Sequence, residues 1–399
     1  FGFEEHDTDL RTEILAGVTT FLTMSYIVVV NPAILTDQPG DNGFTDGISL
    51  ATHSPGEVQQ MLAVVTILAA AVAIFVMAFY ANRPFAQAPG LGLNAFFAFT
   101  VVGAMGIPWQ TALAAVVVEG LVFILLTVVG AREYIISLFP EPVKFSVGTG
   151  IGLFLAIIGL QAMGIVAADQ ATMITMGNLA QNPVAVLSVV GLFFTFALYA
   201  RGVPGAIIFG IVATTVAGWA LTAAGVTQPG VLAPESIPGA QYDITPLVGA
   251  FIGGFANVEA FSFALVVFTF FFVDFFDTAG TLTGVSQIAG FLDEDGDLPD
   301  ADKPLMADAI GTTVGGMIGT STVTTYIESA TGVEEGGRTG MTAFVVGVLF
   351  LLSLAVVPLA AAIPQYASHI ALVVVAVIML TNVTDIQWDD LTHAVPAGL

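Results

Sequence analysis

Long apolar runs separated by short polar stretches set the pattern of this chain. A bilayer core about 30 Å thick is crossed by about 20 apolar residues in helical conformation. Counted in this way, the runs predict twelve membrane segments, numbered 1 to 12 below. We place them near 12–35, 60–81, 84–106, 109–130, 144–166, 183–200, 203–225, 261–290, 304–319, 320–335, 340–362 and 366–383.

Segments 3 and 10 do not have the pattern of uninterrupted helices. Segment 3 carries Pro89, Gly90 and Gly92 near its middle, and segment 10 carries a run of mostly β-branched residues at 320–327 that favours a strand. Irregular backbone at membrane depth is tolerated only where it is buried in protein or lines a cavity. One alternative is that the two glycines merely allow close helix packing. Interrupted segments at corresponding places in two halves instead indicate a transporter site and an inverted repeat of seven segments.

Acidic and amide side chains accompany these breaks. Segment 8 contains Asp274 and Asp277 within an apolar run, and the breaks are followed by Asn94 in segment 3 and Glu328 in segment 10. An ionised carboxylate near the bilayer centre costs at least about 2.5–3.5 kcal/mol, so such residues usually face a polar cavity. We therefore predict a site formed by Asp277, Asn94 and Glu328, and we expect Asp274 to make a structural contact.

Composition narrows the class of protein. Only 10% of the residues are charged and the mean hydropathy is +0.92, whereas soluble domains carry about 25% charged residues. This is the composition of a polytopic membrane protein. The net charge of −24 argues against a nucleic-acid partner and is typical of a salt-adapted organism. The chain has no cysteine, which excludes thiolate chemistry and cysteine metal sites.

The basic residues predict the orientation in the membrane. If the N-terminus is cytoplasmic, all seven fall on the cytoplasmic side of the predicted segments, as the positive-inside rule requires. They are Arg11, Arg83, Arg132, Lys144, Arg201, Lys303 and Arg338. We therefore expect a multi-pass protein of the plasma membrane with a cytoplasmic N-terminus.

Five stretches resemble the nucleobase–cation symporter-2 family, and most closely its AzgA-like branch of hypoxanthine, guanine and adenine permeases. They are RTEILAGVTTFLTMSYIVVVNP (11–32), APGLGLNAFF (88–97), GTGIGLFLAIIGLQ (148–161), VDFFDTAGTL (273–282) and GTSTVTTYIESATGVEEGGRTG (319–340). The resemblance extends over nearly the whole chain, and the last two motifs are highly specific.

The resemblance implies an all-α membrane fold of two inverted seven-segment repeats, with a short β-strand in each of the broken segments 3 and 10. About 12 of the 14 segments are expected in this chain. Residues 1–131 and 258–362 would form the two halves of a core domain. Residues 132–257 and 363–399 would form the two halves of a gate domain, the second of them incomplete.

The resemblance also implies a function and a site. The family's substrate acids fall on Asp277 and Glu328, and its polar residue after the segment 3 strand falls on Asn94. Uracil-type relatives have a histidine where this chain has Thr281. The expected function is import of purine nucleobases by H⁺ symport, with Na⁺ as the other candidate ion, and with Asp277 or Glu328 carrying the proton. The lipid bilayer is the expected environment, a homodimer is compatible with the resemblance, and no metal or cofactor is implied.

Purine chemistry suggests roles for further residues. Carboxylates can accept from purine N–H groups, and backbone N–H groups near Ala95 and Ile327 can donate to a carbonyl oxygen from helix N-termini. The rings of Phe96 and Tyr326 can pack on the faces of the purine. These residues complete the predicted substrate site.

The same residues leave alternatives to purine transport. A uracil or xanthine permease, an anion transporter and a channel could share the architecture, but two acids in the site would repel anions. A metalloprotease would need a His-Glu-x-x-His helix, and the four histidines do not have this spacing. We therefore expect a transporter rather than an enzyme.

Overall fold

The computed structural model describes residues 1–37, 46–131, 141–169, 171–256, 258–293 and 298–398. Within these ranges the chain is mostly helical, and we number its elements in chain order. The helices are α1 Leu10–Met24, α2 Ile27–Leu35, α3 Pro55–Val76, α4 Leu91–Ala95, α5 Trp109–Val128, α6 Glu141–Ala162, α7 Pro183–Tyr199, α8 Ala206–Ala223, α9 Ala250–Gly254, α10 Ala260–Ala289, α11 Asp302–Ile318, α12 Ser329–Glu334, α13 Gly340–Leu352, α14 Gln365–Ser368, α15 Ile370–Met379 and α16 Leu391–Gly398. The strands are β1 Gln87–Pro89, β2 Val166–Asp169, β3 Met173–Met176 and β4 Val323–Thr325.

Within the described residues, six helical stretches are long and apolar enough to cross a membrane. They are Leu10–Leu35, Pro55–Ala81, Trp109–Val128, Ala206–Ala223, Ala260–Ala289 and Gly340–Ala362. Shorter apolar helices cover predicted segments 3, 5, 6 and 12, and α11 covers segment 9. Each predicted segment thus coincides with helical structure, broken in segments 1, 3 and 10.

The broken segments 3 and 10 meet in a two-stranded antiparallel sheet, which confirms the predicted strands. Gln87 lies opposite Thr325 and Pro89 opposite Val323, and all six strand residues are buried. A strand pair of three residues each forms few hydrogen bonds between its backbone groups. In a membrane-spanning segment the remaining backbone N–H and C=O groups therefore need polar partners within the protein. Helix α4 follows β1 after Gly90, and α12 follows β4 after a short turn.

Three side chains from the first half of the chain hold the extended residues that precede β4. Asn31 in α2 donates from Nδ2 to Thr320 Oγ1 at 3.0 Å, and Thr322 Oγ1 donates to Glu119 Oε2 in α5 at 3.0 Å. Between them, Ser321 Oγ donates to Asn94 Oδ1 in α4. Consecutive residues of segment 10 are therefore bonded to three different helices, and we call these contacts the polar collar.

Helix α13 is capped by a residue of segment 1. The carboxylate of Glu13, which is fully buried, accepts the backbone N–H groups of Arg338 at 2.9 Å, Thr339 at 3.1 Å and Thr342 at 3.0 Å. The hydroxyl of Thr342 donates to the same carboxylate at 2.6 Å. Since the first N–H groups of a helix have no partner within it, Glu13 joins the two halves of the chain by satisfying the start of α13.

Two features of the fold lie outside the sequence predictions. Segment 1 is broken between α1 and α2 at Ser25 and Tyr26, and β2 and β3 form a hairpin in the loop after segment 5. Residues 132–140 lie outside the described residues. The predicted domain boundary at 131–132 adjoins this range, and the basic residue Arg132 falls within it. Segments 5 and 12 pack together, since Gly152 lies against Met379 and Gly159 against Val373. Both segments belong to the gate domain that we predict, and that division of the chain stays a prediction.

Candidate functional site

A cavity opens where the strand pair of segments 3 and 10 meets segments 1, 8 and 12. It is lined by Tyr26, Gly90, Leu91, Gly92, Asp277, Thr281, Thr324, Thr325, Tyr326, Ile327, Glu328, Val375, Ile378 and Met379. The wall from the first, third, eighth and tenth segments carries all the polar side chains, and segment 12 supplies three apolar ones. The cavity thus has a polar wall and an apolar wall.

The two predicted acids face this cavity from different elements. Asp277 lies in the middle of α10, and Glu328 stands at the residue before α12. Both side chains are partly exposed, whereas the neighbouring Asp274 is fully buried. Tyr26 donates its hydroxyl to Glu328 Oε1 at 2.5 Å. The structure therefore brings together two carboxylates that sequence separates by about 50 residues, and adds a phenol to one of them.

Three other predicted residues also line the cavity. The Tyr326 hydroxyl donates to the carbonyl of Pro89 at 2.5 Å, so this ring spans the strand pair. Thr281 donates its hydroxyl to the backbone carbonyl of Asp277 at 2.8 Å, which leaves that threonine no second proton for a ligand. Ile327 is 38% exposed and its side chain reaches towards Gly284 of α10. The structure places these three residues around the same space as the acids.

The structure does not bring Asn94, Ala95 and Phe96 to the cavity. Asn94 is fully buried and accepts from Ser321 in the polar collar, and Phe96 packs edge-on against Phe270 with ring centroids 5.0 Å apart. Sequence reasoning placed the helix start too late, since α4 begins immediately after Gly90. One turn of helix turns these side chains away from the strand pair.

The same shift corrects the predicted backbone donors of segment 3. Ala95 is the last residue of α4, and even the N–H of Asn94 is already bonded to the carbonyl of Gly90 at 2.9 Å. The first-turn N–H groups of this helix belong to Leu91, Gly92 and Leu93 instead. Leu91 and Gly92 line the cavity, so the donors available to a ligand are three or four residues earlier than predicted.

A second buried polar group lies behind the cavity. The hydroxyl oxygen of Thr278, Oγ1, lies 3.3 Å from Asp274 Oδ1 and 3.2 Å from each carboxylate oxygen of Asp308. It also lies 2.8 Å from Thr324 Oγ1 of β4. All four side chains are almost fully buried. This contact joins α10, α11 and β4, and it gives Asp274 the structural surroundings that we expect for it.

Sequence reasoning missed Asp308 and Tyr26. Asp308 stands in an apolar segment, and the argument that selected Asp277 could have selected it as well. Tyr26 carried no comparable signal, because neither proline nor glycine marks the break at Ser25 and Tyr26. Its contact with Glu328, 302 residues away along the chain, depends on the packing of α1 against α12.

Another cavity of about 210 Å³ lies at the far end of α10, lined by Gly106, Ile107, Pro108, Thr111, Val258, Glu259, Ser262, Phe263 and Val266. Its one charged side chain is Glu259, which is exposed and already accepts the N–H groups of Phe261 and Ser262 as a helix cap. The cavity between segments 3 and 10 carries the chemistry and is the candidate site.

Comparison of the sequence with protein families and with known proteins finds similarity to permeases along nearly the whole chain. Residues 11–398 match the model of the Permease family, Xan_ur_permease. The adenine permease AdeP of Escherichia coli is 41% identical over 398 residues, which cover 100% of this chain and 83% of that protein. The guanine/hypoxanthine permease PbuO of Bacillus subtilis is 39% identical over 405 residues, covering 100% of this chain and 88% of that protein.

A solved structure, the transmembrane domain of a cyanobacterium bicarbonate transporter BicA, superposes with a TM-score of 0.67 at 16% identity. The match covers 97% of this chain and 93% of that one. A likeness at this identity shows the fold and nothing of the substrate. The inverted-repeat transporter fold predicted from the broken segments is thereby confirmed.

Proposed function

This chain belongs to the Permease family and is a multi-pass membrane protein, and on that premise we propose that it imports purine nucleobases across the plasma membrane by secondary active transport. The observation that carries the proposal is the pair of carboxylates, Asp277 and Glu328, facing one cavity at the crossing of two broken segments. The similarity to the adenine and guanine/hypoxanthine permeases supports the same substrate class.

The cavity offers partners for both kinds of polar group on a purine. The carboxylate oxygens of Asp277 and Glu328 accept from purine N–H groups. The N–H groups of Leu91 and Gly92, at the start of α4, donate to a carbonyl oxygen or ring nitrogen. In surroundings of low dielectric, each bond that a ligand makes is strengthened and each bond that it fails to make is costly. This is the physical basis for selecting purines.

The apolar wall complements the polar one. Val375, Ile378 and Met379 of segment 12 face the acids across the cavity, and a planar ring system packs well between aliphatic side chains and the ring of Tyr326. Segment 12 belongs to the predicted gate domain. A purine held between the two walls would be shielded from water on its apolar faces, as alternating access around a fixed site requires.

We assign coupling to H⁺ and propose that Asp277 or Glu328 carries the proton. A carboxyl that takes up a proton from one side of the membrane and releases it to the other cycles with the substrate, since its neutral form is the less costly one while the cavity is closed to water. We further propose a cytoplasmic N-terminus, from the one-sided basic residues, and a transporter without enzymatic activity. A homodimer is compatible with the family resemblance, which is its only support.

Anion transport is the competing function, because BicA has the same fold. The chemistry of the cavity opposes it. Its charged side chains are both acids, and the basic side chains Arg83 and Arg338 bond to carbonyl groups elsewhere, at Pro299 and Val333. A bicarbonate or sulfate ion would meet repulsion in this site.

Uptake of labelled hypoxanthine tests the proposal in cells that lack their own purine permeases. Adenine, guanine and xanthine should compete with the label, and uracil, bicarbonate and sulfate should not. Asp277→Asn and Glu328→Gln should each abolish accumulation against a gradient, because an amide cannot cycle a proton and also replaces one acceptor oxygen for the purine by an N–H donor. The matched control is Glu335→Gln, an exposed acid seven residues after Glu328, which should transport like the wild type.

Two results would refute the proposal in distinguishable ways. Competition by sulfate or bicarbonate, but by no purine, would assign the cavity to anions. Accumulation driven by a pH gradient in both acid variants would show that neither acid carries the proton. If the two variants differ, counterflow measurements identify the carrier, since the variant that still exchanges purine without a gradient has lost only coupling.

A further inference from the structure

The two acids of the cavity differ in the hydrogen bonds that they already make. Glu328 accepts the Tyr26 hydroxyl on Oε1 at 2.5 Å. For Asp277, the described part of the chain provides no donor to either carboxylate oxygen; only its backbone carbonyl is bonded, to Thr281. Glu328 thus has a partner that orients its carboxylate, whereas the carboxylate of Asp277 has none among the described residues.

Tyr26 is fixed in place by the packing of α1 against α12. Its side chain is 1% exposed. One turn earlier, the Thr23 hydroxyl lies 3.1 Å from that of Thr331, and Gly332 packs directly on Thr20 and on the backbone of Ala16. These contacts run down the two helices from the Tyr26–Glu328 bond. The phenol is therefore held in position and does not swing freely within the cavity.

We propose that Tyr26 is a positioning residue that holds Glu328 in one orientation as the acceptor for a single purine donor, and so leaves recognition of the two-donor edge of a purine to Asp277. The inference rests on the proposed purine transport. It names a residue and a division of roles between the two acids that neither the family match nor the motifs provide.

Purine chemistry makes this division measurable. Guanine carries N1–H and the 2-amino group side by side, which fit the two oxygens of one carboxylate. Hypoxanthine has N1–H and lacks the 2-amino group. A carboxylate that is held with one oxygen towards the purine gives guanine no advantage over hypoxanthine, whereas a carboxylate that presents both oxygens does. The ratio of inhibition constants for hypoxanthine and guanine therefore reports which carboxylates offer two oxygens.

Tyr26→Phe removes the hydroxyl and keeps the ring. Glu328 then loses its fixed orientation and can present both oxygens, so hypoxanthine should bind more weakly, while guanine can place its two-donor edge on either acid. We expect the ratio of inhibition constants, hypoxanthine over guanine, to rise by more than twofold and by at most about tenfold, since guanine has a single two-donor edge and the gain cannot exceed one hydrogen bond to a charged group. The assay is competition against labelled hypoxanthine uptake by the full chain in cells without other purine permeases.

Tyr366→Phe is the matched control. Tyr366 is also buried, and its hydroxyl donates to the backbone carbonyl of Leu232 at 2.8 Å, apart from the cavity. This variant should leave the ratio unchanged. A Tyr26→Phe protein that transports with a ratio within twofold of the wild type would overturn the proposal, as would an equal shift in Tyr366→Phe. Absence of purine uptake by the wild type would instead refute the proposed function.

A second pair of variants tests the division of roles without relying on the folding of Tyr26→Phe. In binding measurements on purified protein, Asp277→Asn should shift the ratio against guanine by about tenfold, because the amide presents an N–H to the 2-amino group. Glu328→Gln should weaken all purines and change the ratio by less than threefold. A larger shift in Glu328→Gln than in Asp277→Asn would overturn the assignment.

Discussion

The most direct test of the fold concerns Glu13, which joins segment 1 to the start of α13. Glu13→Ala removes an acceptor that serves three backbone N–H groups and the hydroxyl of Thr342. Thr339 and Thr342 are fully buried, so water cannot easily replace the lost carboxylate. We therefore expect a large loss of stability from a residue that lies outside the candidate site.

The magnitude follows from the bonds that are lost. A buried donor left without a partner costs about 1–3 kcal/mol, and at least two backbone N–H groups and one hydroxyl lose theirs. Allowing for partial relaxation, we expect Glu13→Ala to lower the free energy of unfolding by about 3–5 kcal/mol. Glu13→Gln keeps one acceptor oxygen and turns an N–H group towards the other donors, so it should lose about half as much.

The assay is unfolding of detergent-solubilised protein, followed by the thermal midpoint and by SDS titration. Glu57→Ala is the matched control, because Glu57 also caps a helix, accepting the Ser54 N–H at 2.7 Å, but this bond is exposed and the helix is its own. Glu57→Ala should lose much less stability. Equal losses in Glu13→Ala and Glu57→Ala would refute the reasoning that burial and the four donors make Glu13 important.

Three further predictions concern packing, the polar collar and topology. Gly120→Ala should sharply lower the yield of folded protein, measured by size-exclusion chromatography, because a methyl group there would overlap a threonine of segment 9. Asn94→Ala and Ser321→Ala should each lower the yield of folded protein more than they weaken purine binding by the protein that does fold, because both side chains are buried away from the cavity, and the double variant should be no worse than the singles if they act through their shared bond. Since the chain has no cysteine, Gln228→Cys should react with impermeant thiol reagents from outside intact cells and Asp302→Cys should not; the opposite labelling would reverse the topology.

Sequence alone was enough to locate the two broken segments. Pro89 and the β-branched run that ends at Ile327 are local signals, and each strand lies where they predict it. Asp277 and Glu328 could also be found, since a carboxylate in an apolar run is conspicuous whatever its partners are. These predictions depend on residues close together in the chain.

The orientation of side chains around the site could not be predicted in the same way. Whether Asn94 faces the cavity depends on the residue at which α4 begins, and a shift of three residues turns the side chain through most of a helical turn. Tyr26 enters the site through contacts between α1 and α12, which no local pattern encodes. The error at Asn94 and the omission of Tyr26 therefore have the same cause, namely the geometry between elements distant in sequence.

The strand pair also bears on how the protein is made. Pro89 emerges from the ribosome more than 230 residues before its partner Val323, which at about 5–20 residues per second is a delay of roughly 10–50 s. During that interval the backbone of segment 3 lacks its native hydrogen-bond partner in a solvent that supplies none. Biogenesis must therefore shelter an unfinished first half, whether by the insertion machinery, by neighbouring helices or by delayed entry into the bilayer. The candidate site is among the last parts of the molecule to form, and truncation before segment 10 removes the strand and the acid that segment 10 supplies to it.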